Sequence, residues 1–266
     1  MKIYISADIE GVTGVCHWDE AGKSHPDYVE HRRQMTAEVA AACEGALAAG
    51  AKTIMVKDAH ASGRNIIAGQ LPPEAELIRG WSGHPYGMVQ EITSEFRAAL
   101  FIGYHSRAGS DGNPLAHTFS SGKIAYIRVN DKFASEFSIN RLIAADLGVP
   151  VVGISGDEAI CREALEADPH ISAVAVQKGI GNSVVAINPR LSLEKIRTAC
   201  QTAISDYPYK MKLAVPEKLQ LEIRYKQHTQ AYRASFYPGV EPVDAHTVSY
   251  RTESVFDLVR AKTFLI

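Results

Sequence analysis

Five side chains at separate points of the 266-residue chain carry donor atoms that suit a divalent cation: Asp8, Glu10, His60, His105 and Glu136. Imidazole nitrogen favours zinc and similar borderline ions, and carboxylates can bridge two of them. A catalytic zinc uses about three protein ligands and keeps a position open. Five donors therefore fit a pair of ions sharing a carboxylate better than a single ion. Two such ions about 3.5–4 Å apart activate water and stabilise the charge that builds on an attacked carbonyl or phosphoryl group. His117 lies beyond the turn-rich stretch RAGSDGNP that follows His105, placed to face such ions without binding them. An imidazole titrating near neutrality suits a base or proton shuttle. Asn140 shares a helical face with Glu136, where it would hold a ligand or the substrate in place.

Read singly, each residue has a plainer role. Asp8 and Glu10 suit an Asx-turn and a surface acid, His60 and His105 suit polar positions at a loop start, and Glu136 suits the first turn of a helix. Chemistry requires the fold to bring them together. Open α/β sheets bind ligands at the carboxyl ends of their strands. KIYISAD ends at Asp8, with Glu10 on the same side if extended geometry continues. AKTIMVKD runs into Asp58-Ala59-His60, AALFIGY delivers His105, and a helix over 135–147 carries Glu136 near its start.

These elements alternate with helix-length segments, beginning with the alanine-rich stretch 31–49. Further strands are expected at 123–130, 149–156 and 172–179, and helices at 157–167 and 192–205. The fold class is α/β: a mixed, mostly parallel sheet with helices on both faces, plus a smaller C-terminal α+β lobe. An Asn130-Asp131 turn predicts the antiparallel hairpin that makes the sheet mixed. The stretch YPYKMKLAVP at 207–216 loses periodicity and carries two prolines. It separates a catalytic core, 1–212, from a lobe, 213–266, containing strands near 219–223 and 246–250, a helix at 227–235 and a last helix from Glu253.

A formal charge of −2 supplies no field for a nucleic-acid backbone. With no run of ~20 apolar residues and no leader-like start, a membrane partner is not expected and the protein reads as cytoplasmic. The four cysteines, Cys16, Cys43, Cys161 and Cys200, form no C-x-x-C pair, which argues against a disulfide framework or a thiolate metal site. Neither a P-loop nor a G-x-G-x-x-G after the first strand is found, so nucleotide binding has no motif to rest on.

SADIEG at 6–11, VKDAH at 56–60, GYHSRAG at 103–109, AHT at 116–118 and EFSIN at 136–140 together resemble the self-compartmentalising zinc D-aminopeptidases, the dipeptide-transport-associated family. The resemblance runs in order from Lys2 to about Gly181. It implies a binuclear zinc site on Asp8, Glu10, His60, His105 and Glu136, with His117 as the catalytic histidine. It further implies hydrolysis of the N-terminal residue of short, D-amino-acid-containing peptides, in a homodecamer of two stacked pentameric rings. Two rivals remain open at this level: a binuclear hydrolase acting on a phosphoester or cyclic amide, and a metal-bearing binding protein without catalysis.

Overall fold

A computed structural model describes residues 1–211 and 213–266. The expected boundary at residue 212 falls on Lys212, outside the described residues. The first strand, β1 (Lys2–Ala7), is buried at every position after Lys2, as a strand covered on both faces must be. It pairs in parallel with β2 (Thr53–Asp58) and with β4 (Ala98–Tyr104). β3 (Ala75–Ile78) joins β2, while β7 (Val151–Asp157) and β8 (Ser172–Ile180) extend the sheet beyond β4. β9 (Ser183–Ala186) closes the far edge, for an order of β3-β2-β1-β4-β7-β8-β9.

The sheet is mixed, although by a different hairpin from the expected one. Its antiparallel member is β9, which folds back on β8 through Gly181, at φ +57°. The Asn130-Asp131 turn also forms, with both residues at positive φ as a type I′ hairpin needs, and joins β5 (Ile124–Val129) to β6 (Lys132–Phe133). That hairpin belongs to a second, antiparallel sheet of order β11-β12-β10-β5-β6. There β5 pairs with β10 (Leu219–Tyr225), which pairs with β12 (Thr247–Thr252), and β11 (Val240–Asp244) lies at the edge. The C-terminal strands are thus completed by a strand from the middle of the chain.

A short helix α1 (Trp18–Ala21) precedes α2 (Tyr28–Ala48), which packs with α5 (Pro189–Asp206) over one face of the main sheet. Met35, Val39, Ile196 and Cys200 bury there against Ile3, Ile5, Leu100 and Ile102. The opposite face takes α3 (Glu136–Asp146) and α4 (Glu158–Ala167), while α7 (Val255–Leu265) packs between α3 and the second sheet; their Phe137, Ile160 and Leu258 share one core with Phe101 and Ile154. A small helix α6 (His228–Ala234) lies on the second sheet. Ser135, Asp157, Asn188 and Ser254 cap α3, α4, α5 and α7 by accepting from backbone N–H groups of the first turn. Among the described residues no helix is long and apolar enough to cross a membrane.

Candidate metal centre

β1 is the switch point of the main sheet: β2 lies on one side and β4 on the other, so their connections leave in opposite directions and open a crevice at the strand ends. Asp8, His60 and His105 all stand at that edge. The chain does not stay extended after Ala7. It bends through Ile9 and turns at Glu10, and both carboxylates still reach the same imidazole.

Two glycines allow this. The Gly11 N–H donates to the Gly103 carbonyl at 2.9 Å, crossing from the end of β1 to the end of β4. A Cβ on Gly11 would overlap the Tyr104 carbonyl, and one on Gly103, at φ +70°, would overlap that of Asp8. Both obstacles are backbone and have no room to retreat. Gly11→Ala should therefore destabilise the fold by about 3 kcal/mol and lower zinc content in the same protein. Thermal melting with metal analysis checks this, and a wild-type melting temperature with full metal would contradict it.

The donor atoms form two adjoining groups. In the first, His60 Nδ1 lies 3.3 Å from Asp8 Oδ1 and 3.0 Å from Glu10 Oε2. In the second, His105 Nε2 lies 3.7 Å from Glu136 Oε2, and His117 Nε2 lies 3.7 Å from Glu136 Oε1. Asp8 joins the two, because its other oxygen, Oδ2, lies 3.6 Å from His105 Nε2. Three of the rings are fixed by backbone carbonyls at 2.9 Å: His60 Nε2 by Ala21, His105 Nδ1 by Ser106 and His117 Nδ1 by Leu115. A carbonyl only accepts, so in each neutral ring the proton sits on that nitrogen and the other nitrogen turns its lone pair to the site.

The site's own charges are strained. Burial, and then the neighbouring Glu10, push the Asp8 carboxyl well above the usual carboxylate range. Burial works on Glu10 too, but the charge of His60, with help from His117 and His105, holds it well below that range. Burial would lower both ligand imidazoles, yet His105 is raised to about 9 by Glu136, Glu10 and Asp8, and His60 is raised by Glu10 and Asp8. The acids thus demand positive charge among them. A cation that binds here replaces the imidazole protons in that role.

The donors fit zinc. Among the described residues, Glu10 Oε2 and His105 Nε2 are buried without a hydrogen-bond partner, an arrangement that costs free energy unless something else satisfies them. Ligands about 2.1 Å from a tetrahedral zinc stand about 3.4 Å from one another, close to the separations above. Every expected ligand is brought to the crevice: Asp8 and Glu10 after β1, His60 after β2, His105 after β4 and Glu136 at the first position of α3. His117 joins them, stacked on His105 with ring centroids 4.4 Å apart and edge-on to Trp18 at 5.4 Å. Its side chain is 13% exposed, whereas those of the five expected ligands range from 1% to 8%.

Asn140 is placed differently. Its amide donates to the Tyr104 hydroxyl at 3.1 Å and lies 3.4 Å from Met88 Sδ, fully buried behind the cleft wall. Four residues along the helix from Glu136 puts it on the same face but one turn deeper, against Met88 and Tyr104 and outside the cleft lining itself. Asp58 is also no donor to the site; it accepts from the Asn65 and Ile66 N–H groups and shapes the loop after β2.

The crevice opens as a cleft of about 350 Å³ whose walls include Trp18, Trp81, Met88, Phe119, Ser120 and Ser121. These were not readable as site residues, since aromatic and serine positions in loops carry no spacing signal. Trp81 is held by its Nε1–H on the Ala61 carbonyl, with the Lys57 ammonium 4.0 Å from its ring.

A family model described as D-aminopeptidase, peptidase M55, matches residues 1–264. A D-aminopeptidase of Bacillus subtilis (strain 168) is 31% identical over 267 residues, covering 98% of this chain and 95% of the relative. Among solved structures, the Zn-dependent D-aminopeptidase DppA from Bacillus subtilis, described as a self-compartmentalizing protease, superposes with a TM-score of 0.93 at 28% identity, over 100% of this chain and 96% of that one.

Proposed function

The chain belongs to the D-aminopeptidase family, and from that premise we propose that it removes the N-terminal residue of short, D-amino-acid-containing peptides at two zinc ions. It is a zinc-dependent aminopeptidase by kinship; the pairing of the ions and the roles of individual residues are our reading. The observation that carries it is Asp8, whose two oxygens face the two histidines of adjoining donor groups. Asp8, Glu10, His60, His105 and Glu136 hold the metals. When bound, the zinc ions act as Lewis acids that activate water and stabilise the oxyanion.

His117 does the proton work. With Nδ1–H committed to the Leu115 carbonyl, Nε2 is free to take a proton from the attacking water and return it to the departing amine. Trp18, Trp81 and Phe119 exclude water and shape the pocket for the released side chain. Among the described residues, no Lys or Arg lines the cleft.

Assays with matched D- and L-alanyl peptides, with and without a chelator, test the reading. The D-peptide should be cleaved, cleavage should cease on chelation, and zinc should restore it; a metal-loaded protein inert toward every peptide would refute it. We further propose residues 1–212 as the catalytic core and 213–266 as a supporting lobe, in a cytoplasmic homodecamer of two five-membered rings. The last rests on the solved relative's description as self-compartmentalizing, and sedimentation at the mass of one chain would discard it.

A further inference from the structure

One positive charge just behind the cleft wall has no part in this chemistry. Helix α7 carries Lys262 inward, leaving it 6% exposed. Its Nζ lies 4.1 Å from the centroid of the Phe119 ring, and a Cβ at Gly87 would stand 3.8 Å from it. Phe119 lines the cleft, as does Met88, the neighbour of Gly87. The ammonium therefore occupies the seam between two wall segments. Phe119 is itself tied to the site: at φ +60°, its N–H donates to Glu136 Oε1 at 2.6 Å.

Among the described residues the Lys262 ammonium makes no hydrogen bond and no ion pair, and only the face of Phe119 attends it. A cation so far out of water is costly unless an acceptor meets it, and packing alone would be served better by an apolar side chain of similar length. Burial lowers its pKa to about 8, with the Glu136 charge opposing, so the group remains protonated at neutral pH. No protein acceptor is placed for it among the described residues, and a carboxylate carried by a ligand would supply one. A short peptide carries an ammonium at the end to be removed and a carboxylate at the other, each residue spanning about 3.3–3.6 Å. With the scissile bond at the donor cluster, that carboxylate falls at the surrounding wall.

We propose that Lys262 is a specificity-determining residue that receives the free C-terminal carboxylate of a short peptide lying along the Phe119–Met88 wall, so that the enzyme prefers free acids to C-terminal amides. This rests on the aminopeptidase reading above. The test compares D-alanyl-glycine with D-alanyl-glycinamide on zinc-loaded wild-type and Lys262→Met proteins. The wild type should favour the free acid. The variant should raise KM for the acid about 10- to 100-fold, keep kcat within about twofold, and leave kcat/KM for the amide unchanged; Lys262→Arg should recover part of the preference.

Equal losses on both substrates, or a fall in kcat at unchanged KM, would mark Lys262 as a prop for Phe119 and overturn the proposal, as would a wild type indifferent to the terminal charge. Zinc content and melting temperature accompany the kinetics, and both should equal or exceed those of the wild type because Met removes an unpaired buried charge at similar volume. Should Lys262→Met fail to fold, Lys262→Gln is held to the same criteria. A wild type that cleaves neither compound fails at the aminopeptidase reading itself, a result distinct from cleavage of both without preference.

Discussion

His117→Ala is expected to keep its zinc and lose about 10²- to 10⁴-fold in kcat, the range a positioned general base contributes. The geometry makes the outcome informative, because His117 stands 3.7 Å from Glu136 and stacks on His105, close enough to be mistaken for a ligand. Three features assign it the other role. Glu136 Oε1, the oxygen it faces, already accepts the Phe119 N–H; Asp8 supplies His105 with a second carboxylate; and its ring is more open to the cleft than any of the five. Zinc content and kcat measured on one preparation decide the matter. Loss of a zinc ion in this variant would make His117 a ligand and leave the proton step without an owner, while undiminished turnover would remove it from the mechanism.

The second large effect is expected at Asp8. Its oxygens contact His60 at 3.3 Å and His105 at 3.6 Å, so it alone spans both donor groups, whereas Glu136 faces only the second. Binding free energies of about 10–16 kcal/mol for four-ligand zinc sites amount to roughly 3 kcal/mol per ligand, about a hundredfold in affinity. Asp8→Asn should impose that loss on both ions and bring activity to background, and Glu136→Gln should impose it on one. Zinc stoichiometry after dialysis against a weak chelator separates the two variants. If both shed the same amount of metal, no carboxylate is shared.

Asp8, His60 and His105 are legible in the sequence for a physical reason: each follows an apolar run too short for anything but a strand, and strand ends in α/β sheets face ligands. Glu136 is legible because the Asn130-Asp131 turn pair leads into its helix. The strand order is not legible, since nothing in β1, β2 and β4 says which two flank the third. Three short strands escape as well. β3 and β9 have four residues each, too few for periodicity to register, and β11 carries Pro242, which only an edge position tolerates. The cleft walls are least legible of all. Trp18 comes from a one-turn helix, Trp81 and Phe119 from loops, and Lys262 from a helix whose pattern reads as ordinary core. Asn140 marks the limit of the helical-face rule, which gives direction around the axis but not depth.

The strand borrowed by the second sheet bears on how the enzyme is made. β5 and β6 lie in the chain between His117 and Glu136, and β5 finds its second neighbour in β10. A nascent polypeptide can complete the parallel sheet through β9 while this hairpin still has no partner beyond itself. The span that supplies the proton carrier and one metal donor gains its second-sheet support only after residues 219–225 have left the ribosome. The second sheet beside the metal cleft is therefore the last part of the fold that the emerging chain can close.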